Sequence, residues 1–193
     1  MLRDLVARHG LVFWHAMTNC LHSALLTIKR DEAGVPSLRH ALERLREVNF
    51  GVRYPAYAGL LAHGLGAIGE REEAFLTIEA ALRWSKRHEE LWCLPELMRI
   101  RSGLLSLDGS RAGNRAAERQ LKQAIDVARR HHSLSWELRA GIDLAKLWHR
   151  EGRTSEARHL LLPIYGRFSE GFETADLRAA RVLLRDFARA RSH

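Results

Sequence analysis

An apolar triplet with helical spacing recurs along this chain, and it limits the fold more than any other feature. It reads Ala74, Ile78, Ala81, then Ala117, Leu121, Ala124, then Ala157, Leu161, Ile164. Steps of four and three keep the side chains on one face of an α-helix. Ala117 follows Ala74 by 43 residues, and Ala157 follows Ala117 by 40. Ala41, Leu45 and Val48 form an earlier copy, 33 residues before Ala74, with a looser register. Gly69 and Gly152 each stand five residues ahead of their alanine, where glycine supplies the tight reversal between two helices. The alanine lets helices approach closely, and the larger residues fill the space between pairs. A single unit of this kind cannot bury its apolar face, so successive units must stack.

The rest of the chain reads as helices in pairs, without a convincing run of alternating β-branched residues. Helices are expected over 11–28 and 37–48, with Gly34 and Pro36 between them, then over 56–68 and 71–86. Further pairs are expected over 94–107 and 114–130, and over 136–150 and 155–168, followed by a last helix, Ala175–Arg189. Ser135 and Thr174 are the expected N-caps of the seventh and last helices, with Glu137 and Asp176 in their first turns. The seventh helix carries two apolar stripes, one of Trp136, Ala140, Leu144 and Leu147, the other of Leu138, Ile142 and Ala145. A helix apolar on two sides must be covered on two sides. The last helix sets Leu177, Ala180, Leu184 and Phe187 against a strip of Arg178, Arg181, Arg185 and Arg189. That strip is either the solvated face of a cap or a docking surface for an acidic partner. The expected fold is all-α: a right-handed α-solenoid of antiparallel helix pairs, tetratricopeptide-like, with about nine helices including a C-terminal capping helix. It is read as a single domain over residues 1–193.

Composition removes several classes. Apolar residues make up 46% of the chain, too many for a disordered one at 28% charge. Cys20 and Cys93 are too few for a disulfide framework and fit small core residues in a reducing compartment. Their apolar helical settings would raise the thiol pKa and lower its reactivity. The most apolar early stretch, residues 11–28, contains His15, Thr18, Asn19, His22 and Ser23, which argues against a membrane span or a signal peptide. A cytoplasmic protein is expected. The net charge of +8 is uneven. Residues 101–193 carry 18 Lys and Arg against 11 Asp and Glu, whereas residues 1–100 carry 13 against 12. A basic half fits an acidic partner or nucleic acid, or an Arg-rich solvated surface, and no nucleic-acid motif accompanies it.

Several segments resemble one protein group. They are residues 92–105 (WCLPELMRIRSGLL), 135–140 (SWELRA) with 144–148 (LAKLW), 152–158 (GRTSEAR) with 162–165 (LPIY), and 168–177 (FSEGFETADL). Together they resemble the C-terminal tetratricopeptide-repeat-like region of large bacterial signalling ATPases. Those proteins place a winged-helix DNA-binding domain or an adenylate cyclase domain first, then a P-loop ATPase, then helical repeats. The resemblance is strongest over residues 54–187. The chain has no Walker A sequence, cyclase domain or winged helix, so none of those activities attaches to a residue here. The resemblance implies a regulatory interaction module of a bacterial signal-transduction or transcription regulator. Its partner would be a protein or peptide, including the ATPase domain of the same regulator.

Motifs for chemistry are weak. Residues 64–69 (GLGAIG) match G-x-G-x-x-G, with Glu89 and Glu90 about 20 residues on, but no strand precedes them as a dinucleotide site requires. His15, His22 and Cys20 fall short of a closed metal site, and the charges of Arg129 and Arg130 oppose a cation at His131 and His132. Glu72-Glu73 and Glu89-Glu90 read as helix-start charges. No metal, cofactor or catalytic residue is expected. The remaining constellation is a groove. In tetratricopeptide-type solenoids the first helix of each pair lines the concave side. That face of the seventh helix presents Arg139, Lys146 and His149, with Arg150 beside them, and the same face of the third helix presents His63 near Tyr57. Such a lining would bind carboxylates or phosphates, or would simply be a solvated basic face. The expected function is therefore a non-catalytic interaction module with a basic concave surface. The alternative is a nucleic-acid-binding repeat protein that uses the basic C-terminal half. The N-terminal helix, with Val12, Phe13 and Trp14 weakly capped by residues 1–9, is expected to form either a homodimer contact or a packed N-terminal face.

Overall fold

The structure, a computed structural model, describes residues 12–47 and 51–189, with side chains from Trp14 onward. Among these residues there are nine α-helices and no strand. They are α1 (Val12–Ile28), α2 (Gly34–Glu47), α3 (Tyr54–Ala67), α4 (Arg71–Arg87), α5 (Leu94–Leu105), α6 (Arg111–Arg130), α7 (Leu134–Arg150), α8 (Thr154–Tyr165) and α9 (Ala175–Arg189). The chain divides into two compact units between Cys93 and Leu94.

Helix ends follow local chemistry. Pro36 lies inside the first turn of α2, where its missing N–H costs no helical bond. Helix α7 begins earlier than expected. His132 takes a left-handed φ of 52°, the Ser133 N–H donates to the Ala128 carbonyl at 2.9 Å, and Ser133 is the N-cap. Ser135 is therefore a first-turn residue and not the cap. Helix α8 ends at Tyr165 instead of residue 168, because Pro163 removes a donor from its last turn and tight turns follow. Gly69 and Gly152 take φ of 91° and 80°, the left-handed turns their positions predict.

In the first unit, α1 and α2 form one hairpin, α3 and α4 a second, and α3 packs on both helices of the first. Cys20, Leu38, Ala41, Leu45, Leu65, Ala74, Ile78 and Ala81 are buried among them. Val48, the third member of the earliest triplet, lies outside the described residues. The glycine run 64–69 sits at the end of α3 and its turn. A Cβ on Gly64 would stand 2.6 Å from Thr27 and 2.8 Å from Val35, so this glycine serves helix packing. Burial raises the Cys20 thiol to about 12.

In the second unit, α7 touches α5, α6, α8 and α9. This explains its two apolar stripes, which are buried apart from the half-buried Trp136. The triplets Ala117, Leu121, Ala124 and Ala157, Leu161, Ile164 share one core with Leu138, Leu144, Leu147 and Phe187. Gly141 marks the closest approach of α7 to α8, since a Cβ there would lie 2.9 Å from Ile164 Cδ1. Glu137, only 1% exposed, accepts from Arg129 Nε at 2.7 Å and from Arg167 Nη1 at 2.5 Å, which ties the end of α6 and the turn after α8 to the start of α7. Helix α9 covers α7 and α8 with Leu177, Ala180 and Phe187.

Leu161 fills the gap behind Ala157, so Leu161→Ala should lower stability by about 3 kcal/mol in urea unfolding. A loss below about 1 kcal/mol would show that the triplet is not what holds α8 in place.

Candidate functional site

Helices α5 and α7 are the first helices of their pairs, and α7 packs beside both α5 and the last helix, α9, in the second unit. One chain of ion pairs crosses them. Arg99 holds Glu96 with both Nε at 2.8 Å and Nη2 at 2.9 Å, and reaches Asp143 on α7 at 2.6 Å. Arg139 on α7 reaches back to Glu96 at 3.0 Å and forward to Asp176 on α9 at 2.7 Å. Its guanidinium also lies over the Trp136 ring, 5.2 Å from the centroid. Two guanidiniums thus meet three carboxylates. Burial of Arg99 disfavours its charge, but Glu96 and Asp143 outweigh that and hold it above its ordinary range. The ladder fixes its own side chains and carries one surplus negative charge.

This geometry alters the expected groove. Arg139 is paired within the chain, because the first turn of α9 brings Asp176 to it and α5 brings Glu96. Lys146 and Arg150 continue the same open face of α7; both are exposed and form no ion pair among the described residues. His149 is exposed but turns to the α8–α9 side, with Nδ1 2.8 Å from the Thr154 hydroxyl and its ring 5.1 Å from that of Phe187. His63 is exposed on α3, in the first unit. Tyr57, on the same helix, is 7% exposed and belongs to the core rather than to a surface, and burial raises its hydroxyl pKa. On α9, Arg178 and Arg185 are exposed, whereas Arg181 approaches Glu173 and Arg189 approaches Asp186, each at 4.0 Å.

A second cluster, not expected from the sequence, joins α6, α7 and α8. The Trp148 ring lies between Lys122 Nζ at 5.4 Å and Arg153 Cζ at 4.7 Å. Glu118 pairs with Lys122 at 2.8 Å and with Arg153 at 3.1 Å, and Arg153 also holds Glu156 at 2.9 Å. Burial alone would raise the Glu118 pKa, but the hydrogen bonds from Arg153 and Lys122 prevail and hold it at about 2. The acidic pairs also resolve differently from expectation. Glu72 and Glu73 do open α4, and Glu73 binds Arg39 at 2.7 Å. Glu90 instead follows α4 and accepts from the Arg53 N–H at 2.6 Å and from Trp92 Nε1 at 2.9 Å. No group of three or more His, Cys, Asp or Glu side chains suited to a metal ion occurs among the described residues.

No family model matches the sequence, and no curated protein matches it. Among solved structures, the chain is similar to a putative kinesin light chain of Podosopora anserina with nearly identical TPR-like repeats. The TM-score is 0.61 at 14% identity, covering 91% of this chain and 86% of that one. The fold class is an all-α solenoid of antiparallel helix pairs, tetratricopeptide-like. No described helix is long and apolar enough to cross a membrane.

Arg99→Ala would leave Glu96 and Asp143 without their shared cation and should cost about 2 kcal/mol. Adding Glu96→Ala should recover part of that loss, which a double-mutant cycle in urea reads directly. The Glu118 carboxylate has a folded pKa below its ordinary value of 4.5, so its contribution is complete above that value and fades as pH falls towards about 2. Thermal melts from pH 5 down to pH 3 should fall less steeply in Glu118→Gln than in the native chain; parallel slopes would refute the pairing.

Proposed function

We propose that this chain is a non-catalytic protein-interaction module whose partner lies along the open face of α5, α7 and α9. The observation that carries the reading is the ion-pair ladder on that face, followed by the exposed, unpaired Lys146 and Arg150. A surface whose charges are already fixed loses little side-chain freedom when a partner arrives. The ladder end, with its surplus negative charge, favours a basic or polar group, and the Lys146–Arg150 end favours carboxylates. The partner is accordingly a peptide segment with acidic residues at one end, and Trp136 offers it an aromatic contact beside Arg139. Arg139 itself acts mainly as a strut of this face, and His63 lies outside it. The sequence resemblance supports placing the module in a cytoplasmic bacterial signal-transduction or transcription regulator, with the ATPase domain of that regulator as one source of the segment. In this reading residues 1–193 act as one repeat domain.

Nucleic-acid binding is the second reading, favoured by the exposed Arg178 and Arg185 on α9. One experiment separates the two. A fluorescein-labelled acidic peptide and a labelled random-sequence DNA oligonucleotide are titrated with the protein at low salt and followed by anisotropy. The interaction-module reading expects the peptide to bind, and K146E/R150E to weaken it by about tenfold. Peptide affinity unchanged by that double reversal would remove the α7 face. DNA binding with steep salt dependence, abolished by R178E/R185E, would establish the second reading instead.

A further inference from the structure

Glycine inside a helix costs stability unless something needs the missing side chain. At Gly34, Gly64, Gly113 and Gly141 the need is packing, since a Cβ would stand between 2.4 and 2.9 Å from a neighbouring atom. Gly103, in the last turn of α5, is different. It is exposed, and a Cβ there would meet nothing within 4 Å. Its backbone is helical, without the left-handed φ of Gly109 in the loop that follows. An alanine would fit and would strengthen the helix, so the fold does not account for this glycine.

Its place on α5 is where the ladder stops. Glu96 meets Arg139 and Arg99 meets Asp143, in the same order along α5 and α7, so the two helices run parallel across the open face. One turn beyond Arg99 comes Gly103, and one turn beyond Asp143 comes Lys146, ~5 Å further along both axes. Up to that level, paired side chains close the seam between the two helices. At Gly103 α5 contributes no side chain, whereas Lys146 and, a turn later, Arg150 are exposed and form no ion pair among the described residues. The backbone at this notch is polar. The Ser106 N–H is shared between the Ser102 and Gly103 carbonyls at 3.2 Å each, and the last-turn carbonyls form the negative end of the helix dipole.

We infer that this notch seats the acidic residue of the bound segment. The segment's main chain lies against the α5 backbone at Gly103, where a Cβ would hold it off. Its carboxylate turns away from the negative helix end and towards Lys146 and Arg150, while a main-chain N–H of the segment faces the α5 carbonyls. Each polar group of the segment thus meets its complement. The seat takes an aspartate or glutamate, and Lys146 and Arg150 repel a lysine or arginine in the same place. This inference rests on the interaction-module reading. It adds the level of the groove at which the acidic residue enters, and makes Gly103 a specificity-determining residue through the side chain it lacks.

The anisotropy titration with the fluorescein-labelled acidic peptide, repeated on single variants of the full chain, tests the seat. Gly103→Leu should weaken peptide binding by at least about tenfold, and Gly103→Ala by about threefold. Both variants should keep native helix content by circular dichroism and melt at or above the native temperature, because both side chains favour a helix. Gln123→Leu, which places the same leucine at an exposed position of α6, should leave affinity unchanged. Peptide affinity that survives Gly103→Leu but falls in K146E/R150E would overturn the seat and leave the interaction-module reading standing. A native chain that fails to bind the peptide removes both. If Gly103→Leu lowers helix content, Gly103→Ala decides, since its methyl group fits without a clash: unchanged affinity in that variant overturns the inference.

Discussion

Two α-helices can lie close along their length only where one of them presents little more than a methyl group. Ala74, Ala117 and Ala157 are all but inaccessible to solvent, and each stands near the start of the second helix of its pair. Gly141 serves the same approach from the other side, with no room for a Cβ against Ile164. At such spacing Ile78, Leu121 and Leu161 are buried against the surrounding helices of their own units, and dispersion and burial accumulate over the whole length of the contact. Much else depends on it. Because α7 and α8 are drawn together, α7 can also be covered by α5, α6 and α9, and α5, α7 and α9 are brought into a row. The ladder from Glu96 to Asp176 exists only because that row places carboxylates and guanidiniums within 3 Å of one another.

The helices and their pairing were legible in the chain because they rest on short-range periodicity. A four-three spacing of apolar residues and a glycine in a left-handed turn leave local marks. The partners of charged residues do not. Arg139 reads as a free groove cation from its own helix. Its pairing to Glu96 and Asp176 spans 43 and 37 residues and depends on how far one helix slides along the next. Only one contact of the ladder is local, Glu96 with Arg99 at a helical spacing of three; Asp143, four residues from Arg139, binds Arg99 on the neighbouring helix instead. Tyr57 was misplaced for a related reason. Its position relative to His63 allows a shared face, but packing of α3 on both α1 and α2 carries Tyr57 inward. Ser135 lost the cap to Ser133 through one left-handed residue, His132, which periodicity does not reveal.

Charge totals mislead in the same way. The second half of the chain is basic by count, yet Arg99, Arg129, Arg139, Arg153 and Arg167 are all committed to carboxylates of the same unit. Glu137 illustrates the exchange. It is buried deeply enough that one cation would leave it poorly compensated, and it takes two, each about half exposed. The arginines therefore act first as inter-helix fasteners, suited to the task by a planar fork that binds a carboxylate through two donors. What remains for a partner is a small uncommitted set. On α7 that set is Lys146 and Arg150, and its value lies in position, at the end of a rigid ladder, rather than in number.

A charged face with fixed geometry discriminates among partners, because a wrong charge opposite Lys146 or the ladder is penalised and a right one is not. Such a face is also sensitive to the medium. Screening by salt weakens the long-range attraction of Lys146 and Arg150 for a carboxylate, whereas the short, partly buried pairs of the ladder are screened far less. Raising ionic strength therefore loosens an occupant of this face while leaving the face itself in place.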